Sequence, residues 1–111
     1  MSHQKFQECI DACLACAVAC NHCATSCLSE DDVKKMKKCI GLDLECAAIC
    51  RSAAELMSLN SGYSAQLCHL CADICSACAE ECNKHEMEHC QDCAKACRHC
   101  SVVCERMATA A

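Results

Sequence analysis

The sequence of 111 residues contains no proline or tryptophan, and only one tyrosine, one phenylalanine and two glycines. It therefore lacks the Gly and Pro turns on which small stapled folds depend. It also lacks the large aromatic side chains that ordinarily fill a core. Positive charge is scarce too: ten Lys and Arg against fifteen Asp and Glu leave a formal charge of −5. The local lysine run, Lys34, Lys35, Lys37 and Lys38, is flanked by Glu30, Asp31 and Asp32 and reads as a solvated helix face. With no basic face to meet a phosphate backbone, nucleic acid is not an expected partner. The opening residues, Met1-Ser2-His3-Gln4-Lys5-Phe6, run into a polar and acidic segment without an apolar stretch. Neither a signal peptide nor a membrane span is expected, which places the protein in the reducing cytoplasm.

What the chain has instead is cysteine, 19 residues of it, within an otherwise ordinary 54% hydrophobic content. A cysteine fraction this high in a short chain first suggests a secreted disulfide scaffold. The odd count, which leaves at least one thiol unpaired, argues against it, as does the absence of a secretory signal. The length fits one domain spanning residues 1–111.

The cysteine spacing organises the chain. Cys9, Cys13, Cys16, Cys20, Cys23 and Cys27 are separated by 4, 3, 4, 3 and 4 residues, a heptad seam along one side of a helix. The same alternation recurs in Cys68, Cys71, Cys75, Cys78 and Cys82, and again in Cys90, Cys93, Cys97, Cys100 and Cys104. A sparser stripe passes through Met36, Cys39, Asp43, Cys46, Cys50, Ala53 and Met57. Helices are predicted near 4–28, 31–59, 63–83 and 86–108. Ser29-Glu30-Asp31-Asp32 reads as a variant capping box, Asn60-Ser61-Gly62 as a turn and Asn83-Lys84-His85 as a weaker break. Short connections force consecutive helices to run antiparallel. The expected fold is all-α: an up-down-up-down four-helix bundle with a cysteine-lined core. Alanines beside the stripes (Ala12, Ala15, Ala17, Ala19, Ala72, Ala79, Ala94, Ala96) favour helix and permit close approach. Apolar residues off the seam, Ile10, Leu14, Ile40, Leu44, Leu70, Ile74 and Val102, suggest a partner surface, most simply a homo-oligomer.

One or two such cysteines would pass as small core hydrophobes. Three uninterrupted stripes would not, because Leu, Ile and Val bury more apolar area and stabilise a core better. Disulfides within a stripe are disfavoured: Cβ atoms at i and i+4 are about 5–6 Å apart, whereas a disulfide needs about 3.5–4.5 Å. A metal ion with sulfur bonds of about 2.3 Å spans that gap, so the Cys-x-x-x-Cys pairs read as two-coordinate clamps. Thiolate-rich sites select copper(I), zinc or iron–sulfur clusters. Zinc tetrathiolates would hold only about four ions and leave a strongly anionic core. Copper(I) at near one per thiolate neutralises that charge. Nineteen thiolates bracket the capacity at roughly 9 to 19 ions, with the upper half expected. Loading must release protons. A zinc or mixed-metal thiolate buffer is the alternative. An iron–sulfur electron carrier is weaker, because the ferredoxin run ending in Cys-Pro is absent. No nucleophile, base and orienting group stand out from the repeat, so an enzyme is not expected.

Antiparallel packing would gather Met36, His85, His89, Cys27, Cys82 and Cys90 at one end, a ligand-rich mouth through which copper is expected to pass. The other end would be plugged by Phe6, Leu56, Met57, Leu59, Tyr63, Leu67 and Met107. Asp43, on the seam, is either a hard ligand or an acid hydrogen-bonded to a neighbouring helix, the second being favoured. Met36 and Asp43 are both kept among the candidate metal ligands. His22, His69 and His99 fall off the seam and read as surface or interface residues.

The Cys9–Cys27 run, Leu42-Asp43-Leu44-Glu45-Cys46-Ala47, the Cys68–Cys82 and Cys90–Cys104 runs, and His85-Glu86-Met87-Glu88-His89-Cys90 together resemble the cytosolic bacterial copper-storage protein family. The resemblance covers nearly the whole chain. It implies a homotetramer of four-helix bundles holding multiple copper(I) ions along their axes, with His85 and His89 joining the cysteines as ligands. A copper donor or acceptor protein is not identified by it.

Overall fold

The computed structural model describes residues 5–110. Among them are four α-helices: α1 Gln7–Cys27, α2 Lys37–Ser58, α3 Ser64–Cys82 and α4 Glu88–Thr109. They form an elongated bundle of 48 × 19 × 18 Å. Each helix packs on two neighbours, α1 on α2 and α4, and α3 on α2 and α4. The packing is antiparallel: Cys9 at the start of α1 meets Cys104 near the end of α4, and Cys23 near the end of α1 meets Cys90 at the start of α4.

The sequence dictates this arrangement directly. A 4-3 repeat keeps one residue per turn on a single side of a 3.6-residue helix, so each stripe must be buried or face water as a unit. All four stripes are buried against one another, and every cysteine is at most 1% exposed. Small Ala12, Ala17, Ala47, Ala72, Ala79 and Ala94 are buried beside them and let the helices approach, whereas Ala15 faces solvent. Leu14, Leu44, Leu70 and Val102 are exposed as expected, but Ile10 is buried in the core and offers nothing to a partner.

The boundaries differ from expectation at three places. The predicted start of the first helix at residue 4 lies outside the described residues, and α1 begins at Gln7. The second predicted helix is divided, with a 3-10 turn at Val33–Met36 leading into α2. The Ser29–Asp32 capping box does not form: Asp32 makes no side-chain cap, and Glu30 turns instead to His89. A helix end that can close on 3-10 bonds, as Ser29 N–H to Ser26 O and Glu30 N–H to Cys27 O do here, leaves the Glu30 side chain available.

The α2–α3 turn is fixed by Asn60, the one non-glycine residue with positive φ (55°) among the described residues. Ser61 N–H bonds Leu56 O at 3.0 Å and Asn60 N–H bonds Met57 O at 3.0 Å, which is the Schellman closure of α2. At the α3–α4 turn the Gln91 side chain donates to His85 O at 2.7 Å, supplying a donor that the backbone lacks there. α1 is long and apolar enough by length and composition to cross a membrane, but half of that stretch is buried in the bundle, as in a core helix.

Candidate metal centre

Along each stripe, thiols four residues apart lie within reach of one ion. The Sγ–Sγ distances are 4.0 Å for Cys16–Cys20, 3.9 Å for Cys23–Cys27, 3.8 Å for Cys71–Cys75, 3.9 Å for Cys78–Cys82, 3.9 Å for Cys93–Cys97 and 3.7 Å for Cys100–Cys104. Contacts between helices are as short: 3.4 Å for Cys46–Cys75, 3.5 Å for Cys39–Cys82, 3.6 Å for Cys16–Cys97, 3.6 Å for Cys50–Cys71 and 3.6 Å for Cys13–Cys104. All nineteen cysteines are free. Their sulfurs form overlapping quartets, such as Cys16, Cys46, Cys50 and Cys75, or Cys20, Cys78, Cys93 and Cys97, in which all four lie within 4.8 Å of one another. Cys16, Cys20, Cys46 and Cys97 each belong to two quartets, so the axis is a continuous lattice of donors rather than a set of separate sites.

With bonds of about 2.3 Å, sulfurs sit about 4.0 Å apart around a trigonal ion and about 4.6 Å apart across a linear one. Loading therefore needs the thiols to spread by about 1 Å, a rotamer adjustment rather than a refolding. Burial opposes ionisation in the empty bundle. It pushes the Cys27 thiol up, and with the charge of Cys39 it pushes Cys90 up to about 11. Cys27 and Cys90 are thus held neutral until a cation replaces their protons, whereas hydrogen bonds from Cys23 and Cys82 hold the Cys39 thiol low.

Asp43 lies fully buried in the second turn of α2. Its Oδ1 accepts from the thiols of Cys78 at 3.2 Å, Cys93 at 3.3 Å and Cys82 at 3.4 Å, and Oδ2 faces Cys39 at 3.9 Å. The favoured sequence reading, hydrogen bonds to neighbouring helices, describes this arrangement, and the same oxygens lie amid the sulfur lattice. Burial, followed by the negative charge of Cys93, pushes its carboxyl up to about 8.

One end of the tube is built from different donors. His89 turns Nδ1 toward Cys90 at 3.5 Å, Cys23 at 3.6 Å and Cys27 at 4.0 Å, while its Nε2–H donates to Glu30 at 2.9 Å. His85 is bonded through Nε2 to Glu81 at 3.0 Å. Glu81 is itself buried and pairs with Lys84 at 3.5 Å and Lys38 at 4.0 Å. A groove of about 540 Å³, lined by Glu30, Met36, Lys84, His85 and Met87 among others, opens here. Met36 is buried at its base. The structure thus brings Met36, His85, His89, Cys27, Cys82 and Cys90 to one end, as the loop order requires. Glu30 and Glu81 were not among the sequence candidates. Neither carboxylate falls on a cysteine stripe, so neither carries a periodic signal, and only the folded chain places each on a histidine.

The opposite end is closed by Phe6 and Met57, both buried, with Leu56, Leu67 and Met107 half-buried around them. Leu59 and Tyr63 do not join this plug: they are 67% and 69% exposed, because the tight Asn60 turn carries them outward. His22, His69 and His99 are exposed, and His69 Nδ1 lies 3.4 Å from Glu105.

The sequence profile of the family described as Csp, copper storage protein, matches residues 2–109. The chain belongs to the copper storage protein family. The cysteine-rich protein YhjQ of Bacillus subtilis (strain 168) is 50% identical over 105 residues, 95% of this chain and 97% of its own. The solved structure of the Cu(I)-bound copper storage protein BsCsp3 superposes with a TM-score of 0.92 at 49% identity, covering 96% of this chain and all of that one. The cytosolic copper storage protein of Streptomyces lividans, loaded with five coppers, gives a TM-score of 0.93 at 38% identity, covering 99% and 97% of the two chains. The four-helix bundle is thus a scaffold that this chain shares with copper storage proteins of known structure.

Proposed function

We propose that this protein stores many copper(I) ions in the cytoplasm, bound by the cysteine thiolates along the bundle axis. The observation that carries the reading is the run of nineteen free, buried thiols along the axis, eighteen of which lie within 4.0 Å of another thiol. Soft thiolates select a soft ion, and near-equal numbers of copper(I) and thiolate leave the dry core close to neutral. Zinc in tetrathiolate sites would bury two negative charges per ion, which favours copper over the zinc-buffer alternative.

All nineteen cysteines serve as ligands in this reading. His85, His89 and Met36 take copper at the open end and pass it inward, and Asp43 contributes an oxygen just inside that end. The whole chain acts as one binding unit with no chemistry on a substrate. Membership of the family and the cytosolic location of the Streptomyces lividans relative support the cytoplasmic placement. Leu14, Val18, Leu44, Leu70 and Val102 are exposed apolar residues on the outer helix faces, and we assign them to contacts between copies in a homotetramer. Sedimentation of the reduced protein tests that assembly: a species of four chains supports it, and a monomer at micromolar concentration refutes it.

Native mass spectrometry of the reduced protein, offered copper(I) and zinc(II) together at equal concentration, tests the storage reading. A product carrying many copper ions and little zinc is expected. A product with about four zinc ions in place of copper would replace this function with zinc buffering.

A further inference from the structure

At the closed end of the tube, Cys68 differs from its fellows. Its thiol donates to the thioether of Met57, Sγ to Sδ 3.6 Å, a distance like those between the paired thiols elsewhere. Both residues are completely buried. Met57 sits in the last turn of α2 and Cys68 in the second turn of α3, and the Asn60 turn folds one directly over the other. On the α2 stripe, Met57 occupies the seam position one repeat beyond Ala53, where the other stripes carry cysteine. Cys9 and Cys104, 3.6 Å apart, also lie at this end.

We propose that Met57 is a copper(I) ligand, forming with Cys68 a mixed thiolate–thioether site that terminates the store at its closed end. This rests on the storage reading above and extends it to a residue that packing alone would treat as a plug. Thioether sulfur is a soft, neutral donor suited to copper(I). On binding, the Cys68 S–H bond breaks and its proton leaves to solvent, a copper–sulfur bond forms in its place, and Met57 donates a lone pair; copper remains in the +1 state throughout. One thiolate and one thioether around one copper(I) sum to zero charge. Two thiolates would leave −1 in the part of the core farthest from the open mouth and sealed by Phe6. The flexible thioether can also follow the small spreading of sulfurs that loading demands.

Selenomethionine-labelled protein, loaded anaerobically with copper(I), makes the site visible by X-ray absorption at the selenium edge. In M36L/M87L protein, which removes both methionines of the open-end groove, selenium–copper scattering should persist, and in M36L/M57L/M87L it should vanish. M57L conserves volume and keeps the fold, as circular dichroism of the empty protein would verify. It should lower capacity by about one ion per chain, the thioether being the donor removed. Persistence of the selenium–copper signal in M36L/M57L/M87L, or its absence in fully loaded M36L/M87L protein, would overturn the assignment and leave copper storage intact. Failure of the unmodified protein to take up copper at all would overturn the storage reading and this site with it.

Discussion

Glu30 Oε2 accepts a hydrogen bond from Nε2 of His89 at 2.9 Å, and this contact aims the other ring nitrogen at the thiols of Cys23, Cys27 and Cys90. The carboxylate fixes the tautomer in which Nδ1 carries a lone pair toward the tube, the arrangement by which outer carboxylates orient metal-binding histidines. Replacing Glu30 by Ala should slow copper(I) uptake by about tenfold, with Gln intermediate, at unchanged final capacity. Stopped-flow loading from a chromophoric copper(I) complex measures this, and an unchanged rate in E30A would remove Glu30 from the uptake path.

The paired replacement H85A/H89A should slow uptake further than E30A, while the helical content of the empty protein stays the same. Both histidines lie on the open end and neither fills the core. Equal uptake kinetics in the double variant and the parent would contradict the proposed route.

Asp43 ties stability to pH in the empty protein. Its carboxyl is raised from 3.8 to about 8 in the folded state, so the native chain holds a proton that the unfolded chain has released. Between about pH 4 and pH 8 the native state binds more protons, and stability falls as pH rises through that window. D43N, neutral at every pH, should flatten this dependence and raise the melting temperature near pH 8 by roughly 5 °C. Thermal unfolding of reduced empty protein at pH 5 and pH 8 checks the sign, and a D43N profile as steep as the parent's would contradict it.

The Asn60 turn offers a check on the fold alone. At φ 55° a side chain with a β-carbon is strained unless, like Asn, it suits the left-handed region. N60A should lose about 1 kcal/mol of stability, and N60G should match or exceed the parent. Denaturant unfolding of the reduced protein distinguishes them.

These tests divide along the line between what periodicity reveals and what it does not. The bundle and its thiol axis were legible in the sequence because a 4-3 cysteine repeat has one geometric meaning, and burial of Cys13, Cys46 or Cys97 follows from position alone. Asp43 was legible as a seam residue for the same reason. Glu30 and Glu81 were not, since their roles depend on how two loops fold over one end. Ser29–Asp32 has the residues of a helix cap, yet 3-10 closure of α1 and the attraction of His89 for Glu30 decide the local structure instead. Leu59 and Tyr63 were expected in the plug on apolarity, but the Schellman closure at Asn60 directs the chain outward there. Met57 was expected in the plug and is buried there, while its contact with Cys68 was not legible because hydropathy does not distinguish a thioether from an alkyl chain.

Copper loading displaces thiol protons, so acid should release the store. Each thiolate ligand that must be regenerated weakens binding by about tenfold for every unit of pH below its own titration. Copper transfer to a fixed chelator, followed between pH 7.5 and 5.5, should increase steadily as pH falls, and a pH-independent partition would contradict thiolate coordination.

The most direct test of the central claim is an anaerobic titration of fully reduced protein with copper(I) against a chromophoric competitor, with circular dichroism recorded on the same samples. A store built into a finished bundle predicts a helical spectrum before any copper is added and tight uptake of well over about nine ions per chain, because bridging thiolates must serve more than one ion. Saturation at a few ions, or helix that appears only as metal is added, would contradict it.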